Sequence, residues 1–120
     1  MNQLLSKLKA LSDSNRLRIV GALLHTEELC ACQIIEFLKI SGATVSRHLS
    51  ILVNSGILKS RKDGRWVFYS LDKTDDLLLE YLDKNIERSA KFAKDKESLK
   101  KITSQAPEEI CRKQRGAGCC

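Results

Sequence analysis

Two cysteines one residue apart, Cys30-Ala31-Cys32, are the part of this chain best equipped for chemistry. Thiolates select soft ions: As(III) and Sb(III) favour three sulfurs in a trigonal pyramid, and Cd(II) and Pb(II) also favour sulfur-rich sites. The run lies at the front edge of a segment patterned like a helix-turn-helix, so an ion held by both sulfurs would act on the backbone that positions a DNA-reading helix. On a regular helix, thiols at i and i+2 point ~200° apart. The expectation is therefore that the pair clasps one ion only by unwinding the helix start. The ligand would then shift the equilibrium through the differential affinity that this creates.

The other three of the five cysteines are Cys111, Cys119 and Cys120. No apolar run reaches the ~18 residues of a membrane span and no signal peptide opens the chain. It reads as a cytosolic protein without a membrane partner, whose thiols are reduced and available to metal. Cys119-Cys120, behind Gly116-Ala117-Gly118, could fold back as a vicinal dithiol. An enzyme finds little support, because neither a nucleophile–His–acid pattern nor a phosphate-cradling glycine loop is present. The net charge is +6, and residues 1–70 hold ten Lys/Arg against five Asp/Glu. That excess falls in the half carrying the helix-turn-helix pattern, as expected for a surface that meets phosphates.

The elements that must position these residues follow from periodicity. Leu4, Leu5, Leu8 and Leu11 mark an opening amphipathic helix. A second helix, capped within Ser12–Asn15, turns Leu17, Ile19, Val20, Leu23 and Leu24 inward. A third is expected from about Ala31 to Leu38. The turn Ile40-Ser41-Gly42 leads to a fourth, Ala43 to Asn54, with Val45, Leu49 and Leu52 buried and Ser41 as cap. Gly56 suits a left-handed helix end. Asp63-Gly64 between strand-like segments predicts a hairpin with a type I′ turn. Its basic residues Lys59, Arg61, Lys62 and Arg65 make it a wing. A long helix from Lys73 carries Leu77, Leu78, Leu82 and Ile86. This stripe, with the first helix, is expected to form a homodimer interface, because small winged domains usually read operators in pairs. The fold class is thus mainly α with a small β-hairpin. Residues 1–98 would form the winged helix-turn-helix and dimerisation domain, and 99–120 a mobile cysteine-containing tail.

With these motifs placed, the chain resembles the ArsR/SmtB family of metal-responsive winged-helix repressors, over roughly residues 3–95. The runs that carry the resemblance are Leu11–Ile19, Glu28-Leu29-Cys30-Ala31-Cys32, Thr44-Val45-Ser46-Arg47-His48-Leu49, Gly56-Ile57-Leu58 and Gly64-Arg65 leading to Tyr69-Ser70-Leu71. The resemblance implies a homodimer that holds double-stranded operator DNA without metal and leaves it when metal binds. It also implies that Thr44, Ser46, Arg47 and His48 lie on the reading helix, with the wing bases along the backbone or a minor groove. His48 could equally be a packing residue.

Glu-Leu-Cys-x-Cys points to the arsenite branch, with As(III) or Sb(III) as inducer, or to the related Cd(II)/Pb(II) branch. Many arsenite sensors of this type carry a third cysteine five residues after the first, where this chain has Ile35. A third thiolate would then come from Cys111, Cys119 or Cys120, or not exist. The family's zinc site on the last helix needs histidines there, and His25 and His48 are elsewhere. A thiol redox sensor and a constitutive DNA-binding module are the competing readings.

Overall fold

Short polar side chains set where several helices begin. Asp13 Oδ1 accepts the backbone N–H groups of Asn15 and Arg16 at 2.9 and 3.1 Å, and Ser41 Oγ accepts that of Thr44 at 3.3 Å. Each is a side-chain cap for a donor that a helix start leaves unpaired. The computed structural model describes residues 1–74 and 76–114, apart from the side chain of Arg112. In order these form α1 (Asn2–Leu11), α2 (Ser14–Leu24), β1 (Leu29–Cys30), α3 (Ala31–Leu38), α4 (Gly42–Asn54), β2 (Leu58–Asp63), β3 (Trp66–Leu71), α5 (Asp76–Glu87), α6 (Ala90–Thr103) and α7 (Pro107–Gln114).

The core is where the periodicity placed it. Ile19 and Val20 of α2, Ile34 of α3 and Val45, Leu49 and Leu52 of α4 are all buried, each contributing roughly 1.5–3 kcal/mol by leaving water. Gly56 takes the expected positive φ, +84°. Arg18 of α2 ties this core to α6, donating from Nε and Nη2 to the two carboxylate oxygens of Asp95 at 2.9 and 3.0 Å.

Four features differ from the sequence expectation. The wing is not a lone hairpin: β1 adds a third strand, in the order β1-β3-β2, antiparallel throughout. The hairpin loop is Gly64-Arg65, closed by the Asp63–Trp66 pair. Only Gly64 has φ above zero there, which is the type II′ pattern rather than type I′. The long C-terminal helix is broken between Glu87 and Ala90, where Ser89 takes extended backbone (φ −76°, ψ 128°) and caps α6. Finally, the boundary expected at residue 98 falls inside α6, and regular helix continues through α7, which packs against α3. Met1, Leu4, Leu5 and Leu8 of the first helix and Leu77 and Tyr81 of α5 are exposed apolar side chains in the single chain.

Candidate metal centre and nucleic-acid interface

Cys30 ends β1 and is also the residue that caps α3, with extended backbone at φ −83° and ψ 164°. Its N–H donates to Gln33 Oε1 at 2.9 Å, one half of a reciprocal capping box whose other half brings the Cys30 sulfur to the Gln33 backbone. Because Cys30 stands outside the helix, the ~200° divergence expected for i and i+2 helical positions does not apply. The two sulfurs lie 2.8 Å apart. The pair is formed without any unwinding of α3, which corrects the mechanism expected from spacing alone.

Both cysteines are completely buried. The Cys32 thiol faces the Pro107 carbonyl at 3.7 Å, and Gln114 Nε2 donates to the Cys32 carbonyl at 2.9 Å. The hydrogen bond from Cys32 holds the Cys30 thiol below its usual pKa, against burial, with help from the Gln33 and Cys32 backbone N–H groups. The same bond, burial and the Cys30 charge raise Cys32.

The other cysteines divide. Cys111 on α7 is buried, 3% exposed, and is disulfide-bonded. Cys119 and Cys120 lie outside the described residues. Elsewhere, His25, Asp83 and Glu87 bring ligand atoms within 4.8 Å of one another. The Lys96 ammonium already meets Glu87 Oε1 there, at 2.8 Å, and supplies the cation.

On the reading helix, Ser46 and Arg47 are exposed. Thr44 is half-buried, its hydroxyl 2.8 Å from Ser41 Oγ within the cap. His48 is buried and takes the packing role: its Nδ1 lies 3.2 Å from Arg16 Nη1, while Arg16 Nε donates to the Ala10 carbonyl at 2.6 Å. This joins the start of α2 to α4 and turns the imidazole away from the exposed face.

Burial lowers the His48 pKa from 6.5, and the Arg16 and Arg47 charges add to that while Asp13 opposes it. Below pH 6.5 the unfolded chain takes up a proton here that the folded chain resists. This contribution to stability is complete above that pH and is lost as the pH falls toward the depressed folded value. His48→Gln should therefore show a shallower loss of stability than wild type as the pH falls below 6.5. Urea midpoints against pH measure this, and parallel curves would remove His48 from the acid response.

All four wing bases are exposed. Arg61, however, is already engaged. Its guanidinium donates to Glu28 at 2.6 and 3.3 Å and stacks over the Phe68 ring at 4.7 Å. Among the described residues, Lys59, Lys62 and Arg65 are the wing cations without an ion pair to compete with phosphate. Gln33, Phe68 and Gln114 were not singled out in the sequence, and Glu28 only as part of the Glu-Leu-Cys-x-Cys run. Gln33 alone carried a signal, three residues after a capping position.

The ladder ties the sites together. Cys30 pairs with Phe68 across β1 and β3, and Phe68 pairs with Arg61 across β3 and β2. Cys30 and the wing therefore share one sheet.

Comparison with known proteins places residues 13–60 in the family model described as "Bacterial regulatory protein, arsR family". The chain is 51% identical over 61 residues to the cadmium resistance transcriptional regulatory protein CadC of Listeria innocua, an alignment covering 51% of each protein. The chain thus spans about half the length of the cadmium regulators it matches. It is 42% identical over 73 residues to the arsenical resistance operon repressor of Staphylococcus aureus, covering 59% of this chain and 69% of that one. Among solved structures, HlyU from Vibrio cholerae superposes with a TM-score of 0.63 at 31% identity, covering 69% of this chain and 90% of that one.

Proposed function

Since the chain belongs to the ArsR family of bacterial regulatory proteins, we propose that it is a repressor that binds operator DNA as a metal-free homodimer. It lets go when As(III) or Sb(III) binds the thiols of Cys30 and Cys32. Ser46 and Arg47 read the major groove or its phosphates, with Lys59, Lys62 and Arg65 along the backbone. The exposed leucines of α1 and the exposed Leu77 and Tyr81 of α5 meet their counterparts in the second copy.

The observation that carries this reading is the buried sulfur pair, 2.8 Å apart, at the junction of α3 with the strand that pairs with the wing. Arsenious acid suits a pair of adjacent thiols, because each departing hydroxide leaves as water with one thiol proton. The product, As(III) bound by thiolates, is neutral when three sulfurs are bound. A Cd(II) tris-thiolate carries a net charge, which an apolar surround penalises. Cd(II)/Pb(II) response is the second reading, favoured by the 51% identity to a cadmium regulator.

The test is operator binding by fluorescence anisotropy under reducing conditions, titrated with arsenite and separately with Cd(II). Arsenite should release the wild type but leave Cys30→Ser/Cys32→Ser bound. Serine keeps an acceptor at the capping position, so the variant retains its DNA affinity. Release by Cd(II) alone transfers the function to the second reading. Release of both proteins by arsenite moves the sensor away from this pair. Release by a thiol oxidant alone would make the chain a redox sensor.

A further inference from the structure

The geometry points to Glu28 as an intramolecular substitute for DNA phosphate, one that occupies Arg61 and keeps this wing cation out of the DNA interface. This rests on the operator-binding reading above and names a contact that limits the affinity.

Each nitrogen of the Arg61 guanidinium faces a carboxylate. Nε and Nη2 donate to the two oxygens of Glu28 at 3.3 and 2.6 Å, and Nη1 lies 3.8 Å from Asp63 Oδ2. A carboxylate that accepts two parallel N–H donors offers arginine what two oxygens of a phosphate offer. The pair bridges the whole sheet: Glu28 directly precedes β1, Arg61 is on β2, and β3 runs between them. The register sets Arg61 opposite Phe68, whose ring centre lies 4.7 Å from the guanidinium and holds it from a second side.

Paired in this way, the two charges cancel for any anion beyond contact distance. Lys59, two residues earlier on β2, shares a strand face with Arg61. A phosphate backbone following that face meets Lys59 as an exposed charge and Arg61 as a neutral pair. The side chains of Arg61 and Glu28 are 54% and 36% exposed, so water and salt reach the pair and weaken it. Phosphate can therefore take the place of the carboxylate by side-chain rotation alone, with the backbone unmoved. The contact is a competitor, not a lock.

The experiment is a double-mutant cycle on the full chain: wild type, Glu28→Gln, Arg61→Ala and the combination. Each is titrated by fluorescence anisotropy onto a labelled DNA duplex of arbitrary sequence at several salt concentrations, because phosphate contacts do not depend on sequence. With Arg61 present, Glu28→Gln should bind roughly two- to fivefold tighter than wild type, the range over which exposed ion pairs act. Its affinity should also fall more steeply with salt, by about 0.9 in the log–log slope, the mark of one further phosphate. With Arg61→Ala in place, the same substitution should bring a smaller gain. Equal gains in the two backgrounds mean that only a negative charge was lost, and overturn the inference. Unchanged or weaker binding by Glu28→Gln overturns it too. Circular dichroism checks that this variant folds, and Glu28→Ala replaces it if it does not. Wild type that binds no duplex overturns the inference together with the operator reading. A cycle with the expected coupling but no release by arsenite upholds the inference and overturns the arsenite reading alone.

Discussion

Arg18→Ala is expected to lower the stability of the chain by about 3–5 kcal/mol, the usual consequence of leaving one member of a buried pair without its partner. The Arg18 guanidinium meets both oxygens of Asp95, whose side chain is only 7% exposed. It also lies 5.4 Å from the centre of the Phe37 ring, so one truncation loses an ion pair and a stacked contact, and strands a carboxylate in the core. Urea unfolding followed by circular dichroism measures the loss. Arg18→Met/Asp95→Leu should recover most of it, because replacing both charges with apolar groups removes the stranded carboxylate. A single variant within about 0.5 kcal/mol of wild type, the range of an ordinary surface change, would show that the pair does not hold α6 to α2. The functional corollary runs through α3, against which α6 also packs. In Arg18→Ala the buried thiols of Cys30 and Cys32 should react faster with an alkylating reagent, even in conditions where the chain remains folded.

Arg47→Ala should weaken operator binding by about 1–3 kcal/mol while leaving stability nearly unchanged, because the side chain is exposed and its loss opens no cavity. Comparing specific and scrambled DNA separates its two possible partners. A loss confined to the operator assigns Arg47 to a base edge, and an equal loss on both assigns it to phosphate, together with a shallower salt dependence. Lys62→Ala is the natural comparison and should follow the phosphate pattern. Arg47→Ala with undiminished affinity would remove α4 from the DNA interface as drawn here.

The reading helix and its supporting core were legible because their information is local. Val45, Leu49 and Leu52 repeat at helical spacing, and Ser41 and Gly56 mark the ends of that helix. What could not be read was set by partners far along the chain. A two-residue strand has no periodicity, so β1 was invisible until Cys30 was seen against Phe68. That pairing places Cys30 outside α3 and reverses the geometry expected of the sulfur pair. Arg61 looked like a free wing cation because nothing local indicates that Glu28, 33 positions earlier, holds it. The α7 segment is mostly polar, with Ile110 and Cys111 the buried ones among its described side chains. So few apolar positions gave no period, and the segment read as tail. The break before α6 lacks glycine and proline, the residues that usually announce one.

The row Cys30–Phe68–Arg61 crosses the sheet with one strand in between. Adjacent strands lie roughly 4.8 Å apart, so the sulfur-bearing backbone and the outer wing strand are separated by about 10 Å. Sites that communicate over 20–40 Å require a chain of intermediates, each with two arrangements of its own. Here the path has a single intermediate, one aromatic residue that stands opposite Cys30 on one side and Arg61 on the other. A displacement at the thiol end meets little material in which to dissipate before it reaches the basic edge. In terms of transmission length, the thiol pair and the wing are neighbouring parts of one short lever.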